Sequence, residues 1–280
     1  MSTVNLQDWV GKKEEETDRI YPTPVKALAV TLNYRLFEPR EGVPLPELWH
    51  WLYFLPMVAM ADLGVDGHPK RGGFLPPVSL ERRMWASGRF RFHHDLRIGE
   101  EVRRTSEILD ISEKTGKSGE MVFVTIRHLI HSAEGVALEE EQDIVYIRTP
   151  ESYVRPEPRQ VPMELHWKEA YPIDPVLLFR FSALTFNSHR IHYDWRYATE
   201  VERYPGRLVH GPLQGLLLME SAKHRHPSKK PASYRFRSIY PIFEFDTLYV
   251  CGHDNPDGSC ELYTADGEGH MATLGGITWK

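Results

Sequence analysis

Asn187 and His192 lie five residues apart in the stretch Phe181-Ser-Ala-Leu-Thr-Phe-Asn-Ser-His-Arg-Ile-His-Tyr-Asp194. A histidine changes charge near neutral pH and can take a proton from a bound water molecule. An asparagine amide cannot take that proton, but it can hold the same water in place by hydrogen bonding. Taken alone, each residue would be an ordinary turn residue. These residue types suit a site in which His192 is a general base and Asn187 orients water, and the ordinary turn stays open at this point.

The stretch Val209-His-Gly-Pro-Leu-Gln214 predicts the start of an apolar helix that runs to Arg225 and ends before Pro227. Pro212 suits the first helical turn, because the backbone N–H that proline lacks would have no partner there. A free N–H at a helix N-terminus stabilises negative charge that develops on an oxygen atom. We expect Gly211 to supply that N–H, since it has no side chain to block a ligand.

Charged residues surround this stretch. Arginine side chains are usually solvated at the surface, but they also bind carboxylates and phosphates through two parallel hydrogen bonds. His210, directly before the helix, either packs against the helix start or contacts a ligand. The predicted ligand-binding residues are His189, Arg190, Arg207 and His210.

A metal site is the other chemistry that neighbouring histidines suggest. His189 and His192 have an i, i+3 spacing and Asp194 follows closely. A structural or catalytic zinc site needs further ligands at a recognisable spacing, and the sequence offers none. We therefore expect no metal.

The elements around these residues form two similar halves. Arg89-Phe-Arg-Phe92 and Arg235-Phe-Arg-Ser238 each begin a strand, a turn and a second strand, with an offset of 146 residues between the halves. Other runs rich in β-branched and aromatic residues, such as Met121–Ile130 and Met271–Trp279, predict further strands. A helix as apolar as the one that begins at Gly211 needs a sheet to cover it. The second half should therefore be a short helix, a central helix and several antiparallel strands that curl around it.

A stretch rich in proline and charge, Thr149–Pro162, separates the two halves. Its X-Pro pairs favour extended chain over helix. The sequence therefore predicts an N-terminal domain over residues 1–148, a linker over 149–162 and a catalytic C-terminal domain over 163–280.

The composition excludes several classes of protein. The chain has 280 residues, of which 41% are hydrophobic and 26% charged, and this is ordinary for a folded protein. A net charge of −5 does not favour a nucleic-acid-binding protein. The apolar run Leu48–Leu63 is shorter than the ~20 residues that a membrane span needs, so it predicts a buried segment.

The two cysteines, Cys251 and Cys260, flank a turn-like stretch, so a hairpin disulfide is geometrically possible. Two cysteines do not make the disulfide framework of a secreted protein, and the N-terminus lacks the features of a signal peptide. These observations favour reduced thiols and a cytoplasmic protein.

The site residues resemble the signature of the MaoC-like, R-specific enoyl-CoA hydratase family, which has the hot-dog fold. Ser182-Ala-Leu-Thr185 fits the beginning of that signature, Ile191-His192 its Leu-His pair and Val209-His-Gly211 its helix start. Asn187 stands where the family has its catalytic Asp, and His189-Arg190 stand where it has Asn-Pro.

Both departures are compatible with a two-domain branch that is similar to itaconyl-CoA and mesaconyl-C4-CoA hydratases. The stretches Pro46–Pro56 and Gly72–Pro77 also resemble that branch, so the resemblance covers most of the chain. It implies an α+β fold of two hot-dog modules, each an antiparallel sheet wrapped around a central helix. The first module would be degenerate and the second catalytic.

The resemblance also implies a reaction. The enzyme would add water reversibly to the double bond of a short branched or dicarboxylic enoyl-CoA and give citramalyl-CoA. Itaconyl-CoA is the first candidate for this substrate and mesaconyl-C4-CoA the second. No cofactor is expected, because CoA is part of the substrate. Arg190 is the first candidate for binding a second carboxylate, and other arginines would bind the CoA phosphates. We expect neither a nucleic acid nor a membrane as a partner, and further pairing into a homodimer stays open.

Three other functions remain open at this point. A 3-hydroxyacyl-thioester dehydratase for longer chains would use the first module as an acyl tunnel. A hot-dog thioesterase normally needs a carboxylate on the central helix, and Glu220 lies late in that helix. A protein that only binds acyl-CoA would fit the loss of the Asp at position 187.

Overall fold

In the computed structural model, which describes residues 5–34, 37–116 and 119–280, ten strands form one antiparallel sheet. The strands are β1 (Lys13–Arg19), β2 (Arg82–Phe92), β3 (Glu101–Gly116), β4 (Gly119–Ser132), β5 (Gly135–Ile147), β6 (Trp167–Tyr171), β7 (Pro231–Ser238), β8 (Leu248–Asp254), β9 (Cys260–Ala265) and β10 (Met271–Trp279). The α-helices are α1 (Pro22–Thr31), α2 (Pro175–Leu184) and α3 (Gly211–Arg225).

The strand order repeats between the two halves of the chain. The sheet runs β1-β3-β4-β5-β2-β7-β10-β9-β8-β6, so each half places its five strands in the same order, from its outer edge to the centre. The halves meet where β2 pairs with β7, and Arg89 lies directly opposite Arg235 in that pair. These two arginines are the residues that the sequence repeat relates, and the predicted repeat is therefore a structural one.

Alternating side chains explain why the strands form. In β4 every second residue from Val122 to Ile130 is buried, and the residues between them are partly exposed. This period of two puts one face of the strand on the core. The predicted strands over Met121–Ile130 and Met271–Trp279 are confirmed within β4 and β10.

Helix α3 is the central helix of the second module. Its buried residues include Leu213, Leu216 and Leu217, and the strands β7 to β10 wrap around it. Burial of each leucine side chain contributes about 1.5–3 kcal/mol. The helix begins at Gly211 and ends at Arg225, as the sequence predicts.

The first module has the same sheet but, in the described part of the chain, no equivalent helix. The segment that an offset of 146 residues relates to α3, residues 65–79, is neither helix nor strand. It contains Pro69, Gly72, Gly73, Pro76 and Pro77, which oppose helix formation. Val78 and Leu80 instead lie in extended chain and pack in one cluster with Val124 and Tyr146. The double hot-dog architecture is confirmed, and the expectation of a central helix in both modules is corrected for the first.

The chain between β5 and β6 contains neither a helix nor a strand. This segment lies along the second module. Val161 N donates to Gly269 O at 3.0 Å, and Met271 N donates to Arg159 O at 2.6 Å. The division into domains 1–148 and 163–280 stays a prediction, because a single sheet spans both.

The apolar run Leu48–Leu63 divides into two parts. Trp49, His50 and Leu52 are buried in a 3₁₀ turn, whereas Met57 and Met60 are exposed. No helix in the described residues is long and apolar enough to cross a membrane. Cys251 and Cys260 are both free and buried.

Candidate active site

His192 lies at the centre of the predicted site, in a 3₁₀ turn over Arg190–His192. Its side chain is buried, and its Nδ1 is 2.9 Å from the carbonyl oxygen of Leu208. A carbonyl only accepts, so Nδ1 carries the proton and Nε2 keeps its lone pair. Burial lowers the pKa of His192 to about 4, and the imidazole is therefore neutral at physiological pH.

His210 stacks against His192 and directly precedes α3. The two ring centroids are 3.7 Å apart with an angle of 20° between the planes. His210 Nε2 lies 2.8 Å from Ser182 Oγ, and its buried Nδ1 has no hydrogen-bond partner among the described residues. Burial lowers the pKa of His210 well below its ordinary value, so this ring is neutral too. The structure thus brings His192, His210 and the start of α3 together.

Gly211 is the first residue of α3, and its N–H has no acceptor in the part of the chain that the structure describes. A Cβ at this position would lie 3.0 Å from Ser238 Oγ and 3.5 Å from Trp85 O. The helix N-terminus therefore sits against β2 and β7, where the two modules join. Its use as an oxyanion donor stays a prediction, and the free N–H is compatible with it.

Asn187 follows α2 in a tight turn and is half-buried. Its backbone N–H donates to Ser182 O at 2.8 Å, and its Oδ1 accepts from the backbone N–H of His189 at 3.0 Å. The side-chain oxygen thus holds the loop, whereas the amide NH₂ makes no hydrogen bond with any described residue. Asn187 is better placed to donate to a ligand than to accept from one.

A loop of the first module, residues 64–68, closes over the catalytic loop of the second. Arg190 N donates to Asp66 O at 2.9 Å, and Ser188 Oγ donates to Gly67 O. A Cβ on Gly67 would lie 1.9 Å from Ser188 O, so only glycine permits this approach. We did not predict this contact from the sequence. Gly67, in the turn Val65-Asp-Gly-His68, is its one local signal.

Two residues of that loop reach the histidine cluster. Asp66 Oδ2 is 2.9 Å from His68 Nδ1, and the ring of His68 lies 4.1 Å from the ring of His189. Burial raises the pKa of Asp66, but the hydrogen bonds from His68 outweigh it and leave that pKa below its usual range. Burial and the charge of Arg83 lower the pKa of His68 to about 4.

His189 lies between this loop and His192. Its side chain is buried, and its ring lies 5.4 Å from that of His192 in an edge-on arrangement. Burial lowers its pKa well below the ordinary value. Ligand atoms of Asp66, His68 and His189 lie within 4.8 Å of one another, which is close enough for a metal ion. The nearby charge of Arg83 opposes a cation there, and Asp194, the third residue of the sequence-based test, pairs with Arg190 instead.

The two arginines predicted to bind ligand both have carboxylate partners. Arg190 Nη2 is 2.7 Å from Asp194 Oδ2, and its guanidinium stacks on Tyr197 with 4.3 Å to the ring centroid. Arg207 Nη2 is 2.6 Å from Glu244 Oε2. Their roles in substrate binding stay predictions. To bind a substrate, each arginine would have to keep its carboxylate partner and the substrate at once, or release the partner.

A model of the family described as hydroxyacyl-thioester dehydratase type 2 matches residues 48–244, which include both loops of the site. The chain is 46% identical to the mesaconyl-C(4)-CoA hydratase of Chloroflexus aurantiacus, over 92% of each protein.

Solved structures give the same picture of the fold. A MaoC-like dehydratase superimposes with a TM-score of 0.73 and 15% identity, and the match covers 99% of both chains. A conserved protein of Mycobacterium tuberculosis, described as having a double hot-dog fold, superimposes with a TM-score of 0.56 and 14% identity over 96% of both chains. At such low sequence identities, these similarities support the fold alone.

Proposed function

Because this chain belongs to the hydroxyacyl-thioester dehydratase type 2 family of hot-dog hydro-lyases, we propose that it hydrates a short dicarboxylic enoyl-CoA around His192. The chain is a hydratase-type enzyme, and its substrate is an acyl-CoA thioester. For the acyl group, mesaconyl-C4-CoA is the first candidate and itaconyl-CoA the second, and both would give citramalyl-CoA. The identity with a mesaconyl-C(4)-CoA hydratase supports this order.

The observation that carries the mechanism is the hydrogen bond from His192 Nδ1 to Leu208 O. It fixes the tautomer, so that Nε2 is available as the base. In the proposed reaction Nε2 takes a proton from water while the water oxygen bonds to the β-carbon. The π electrons move towards the thioester oxygen, where the N–H of Gly211 stabilises the charge. His192 then returns the proton to the α-carbon, so that water is added and no redox cofactor is consumed.

Asn187 has a smaller part in this scheme. Its Oδ1 is engaged by the N–H of His189, and its amide NH₂ donates a hydrogen bond to the attacking water or to the thioester. It orients without exchanging a proton. The carboxylate that the family has at this position would be able to orient the water and also to exchange a proton with it.

The chemistry of the two candidate substrates favours mesaconyl-C4-CoA. Its double bond is conjugated with the thioester carbonyl, so electrons displaced by water can reach the carbonyl oxygen. The double bond of itaconyl-CoA lies one carbon further away and must first shift into conjugation. Only the first compound reacts directly at a site that stabilises an oxyanion.

A thioesterase function is less well supported. The carboxylate that it would use, Glu220, lies nine residues after Gly211, which is about 14 Å along the helix axis. Glu220 Oε1 accepts a hydrogen bond from Trp49 Nε1 at 2.6 Å, and burial raises its pKa to about 7. This carboxyl group therefore belongs to the packing between the modules.

The test offers the purified protein mesaconyl-C4-CoA, itaconyl-CoA and crotonyl-CoA. Hydrated product is followed by mass spectrometry, and free CoA by a thiol reagent. We expect hydration of mesaconyl-C4-CoA with the highest kcat/KM and no release of thiol. Free CoA without hydrated product would identify a thioesterase instead, and tight binding without turnover would identify a binding protein. A matched series of 3-hydroxyacyl thioesters of increasing length tests the long-chain dehydratase.

A further inference from the structure

Arg83 is a buried cation that has no carboxylate partner among the residues that the structure describes. Its side chain is 8% exposed. The adjacent Arg82 is equally buried, but its Nε lies 2.6 Å from Glu202 Oε2. Burial of a guanidinium without a counter-charge is strongly unfavourable. The contrast between these neighbours indicates that Arg83 can take an anionic partner from outside the folded chain, since the carboxylate whose charge acts on it, Asp66, is bonded to His68.

The place of Arg83 in the sheet puts it near the proposed oxyanion donor. In β2, the carbonyl oxygen of Trp85 lies 3.5 Å from the Cβ position of Gly211. Arg83 is two residues away along the same strand, a distance of about 7 Å. A group that contacts Arg83 can therefore belong to the same short acyl chain whose thioester lies at Gly211.

A second unsatisfied polar group lies beside Arg83. Tyr146 in β5 is its direct cross-strand partner, and such partners project from the same face of a sheet. The hydroxyl of Tyr146 is buried, its proton has no acceptor among the described residues, and the group within reach of its oxygen is the guanidinium of Arg83. A guanidinium and a free hydroxyl donor side by side are suited to the two oxygen atoms of a carboxylate.

The charges around this pair add up to an excess of positive charge. Arg71 stacks on the ring of Tyr146 at 5.0 Å, and its own hydrogen bonds go to backbone carbonyl groups. The carboxylate on this side, Asp66, is already bonded to His68. His68 is neutral because burial, and then the charge of Arg83, lowers its pKa. Arg83 therefore shares the charge of Asp66 with His68, and a further carboxylate would give Arg83 a counter-charge of its own.

We infer that Arg83 and the hydroxyl of Tyr146 form the subsite for the free carboxylate of a dicarboxylic acyl-CoA substrate. This inference rests on the proposed function, since it names the group that selects the acyl chain. It assigns specificity to the first module, whereas the base and the oxyanion donor come from the second. It also takes the place of the expectation for Arg190, whose guanidinium is held by Asp194.

The kinetic test compares Arg83→Gln with the wild type on mesaconyl-C4-CoA and crotonyl-CoA. We expect kcat/KM for mesaconyl-C4-CoA to fall at least about 100-fold, because a buried charged hydrogen bond is lost. The value for crotonyl-CoA, which has no free carboxylate, should stay the same or rise. Arg91→Gln is the matched control, since Arg91 lies on the same strand with an exposed side chain and should alter neither.

A binding test needs no turnover. Succinyl-CoA carries a carboxylate on the β-carbon, butyryl-CoA carries a methyl group there, and neither can be hydrated. By calorimetry the wild type should prefer succinyl-CoA, and Arg83→Gln should abolish the preference. Tyr146→Phe removes a hydroxyl whose neighbour in the folded chain is the guanidinium of Arg83 and keeps Arg83 itself, so it should fold and weaken the preference about tenfold. If Arg83→Gln does not fold, the Tyr146→Phe variant alone tests the proposed subsite.

The outcomes separate this inference from the proposed function. Equal affinity of the wild type for succinyl-CoA and butyryl-CoA would overturn it, and so would loss of the preference in Arg190→Ala with retention in Arg83→Gln. A protein that hydrates mesaconyl-C4-CoA and crotonyl-CoA with equal kcat/KM would keep the hydratase function and lose the subsite. A protein that hydrates nothing but keeps the preference for succinyl-CoA would lose the function and keep the subsite.

Discussion

Burial decides what each histidine of the site can do. His192, His210 and His189 are all held neutral because a charged imidazole would lose its hydration in this interior. Of these, His192 is the one whose Nδ1 donates to a backbone carbonyl, which leaves Nε2 as a lone-pair nitrogen. A neutral ring with one fixed proton is ready to accept a second, and this favours a base over an acid in the resting enzyme.

Replacement of His192 by alanine should remove that base. We expect kcat to fall by about 10²- to 10⁴-fold, the usual contribution of general base catalysis, with a much smaller change in KM. Steady-state kinetics on mesaconyl-C4-CoA measures both. His94→Ala is the control, because His94 is a partly buried histidine that bonds to Ser132 away from the site. An unchanged kcat in His192→Ala would rule out the mechanism.

The pH dependence of the rate should report the low pKa of His192. The base must be unprotonated, so the rate is lost as the pH falls through its pKa of about 4. An imidazole with the ordinary value of about 6.5 would already be nine-tenths protonated at pH 5.5, and the rate would be about tenfold lower there. We expect kcat/KM to be nearly constant from pH 8 to pH 5.5, measured as initial rates after a rapid jump from pH 7.5. A midpoint near 6.5 would contradict the assignment.

The catalytic loop depends on a partner loop from the other module. Residues 64–68 bond to the backbone of Arg190 and to the side chain of Ser188, and they carry Asp66 and His68 to the histidine cluster. Misplacement of a catalytic group by about 1 Å can cost a factor of 10² in rate. The contact between the loops is therefore a condition for activity.

Gly67→Ala tests this contact. The new Cβ would lie 1.9 Å from Ser188 O, so the two loops must separate. We expect kcat to fall by at least about tenfold, while the urea midpoint changes only as far as the backbone strain requires. Gly42→Ala is the matched control: Gly42 also has a positive φ, +80° against +89°, but its Cβ would meet nothing within 4 Å. Equal activity of the two variants would show that the loops need not touch.

Local patterns were enough to predict the second module. Pro212 after Gly211 predicted where α3 begins, and Pro227 predicted that it ends, because both effects act within a few residues. In the first module, the β-branched and aromatic residues of Met121–Ile130 predicted a strand for the same reason. His192 and Gly211 could be proposed from sequence since each lies in a short local pattern and the two patterns are close together in the chain.

Arg83 and Asp66 could not be predicted in this way. Their importance depends on β2 pairing with β7 and on a loop that meets residues more than a hundred positions later in the chain. The absence of a central helix from the described part of the first module could not be read from the repeat, because the repeat relates the strands of the two halves and not their helices. Gly72 and Pro76, which oppose a helix there, entered the sequence analysis only through a resemblance.

The continuous sheet makes one folding unit of two modules with different tasks. The second module contains the proposed base and the helix N-terminus, and the first contains the loop of residues 64–68 and the buried Arg83. Buried neutral histidines occur in both halves, with His128 in the first and His192 in the second. Each of these histidines makes the stability of the folded chain depend on pH.

The sign of that effect follows from the pKa of His128, which burial lowers from 6.5 to about 4. Between these values the unfolded chain binds a proton that the folded chain does not, so stability is lost as the pH falls from 6.5 towards 4. Each such histidine contributes up to about 1.4 kcal/mol per pH unit. Urea denaturation at pH 7.5 and pH 5 should therefore show a large loss for the wild type.

His128→Gln isolates the contribution of one histidine, at a position bonded to Ser106 and remote from the catalytic loop. The variant should be less stable than the wild type at pH 7.5, because it loses a buried hydrogen bond. Its further loss on going to pH 5 should be smaller than that of the wild type by about 2 kcal/mol. His224→Gln, at an exposed position, should leave the loss unchanged. If His128→Gln and the wild type lost the same free energy between the two pH values, His128 would not contribute, and the acid sensitivity would come from the other buried histidines or from the carboxylates.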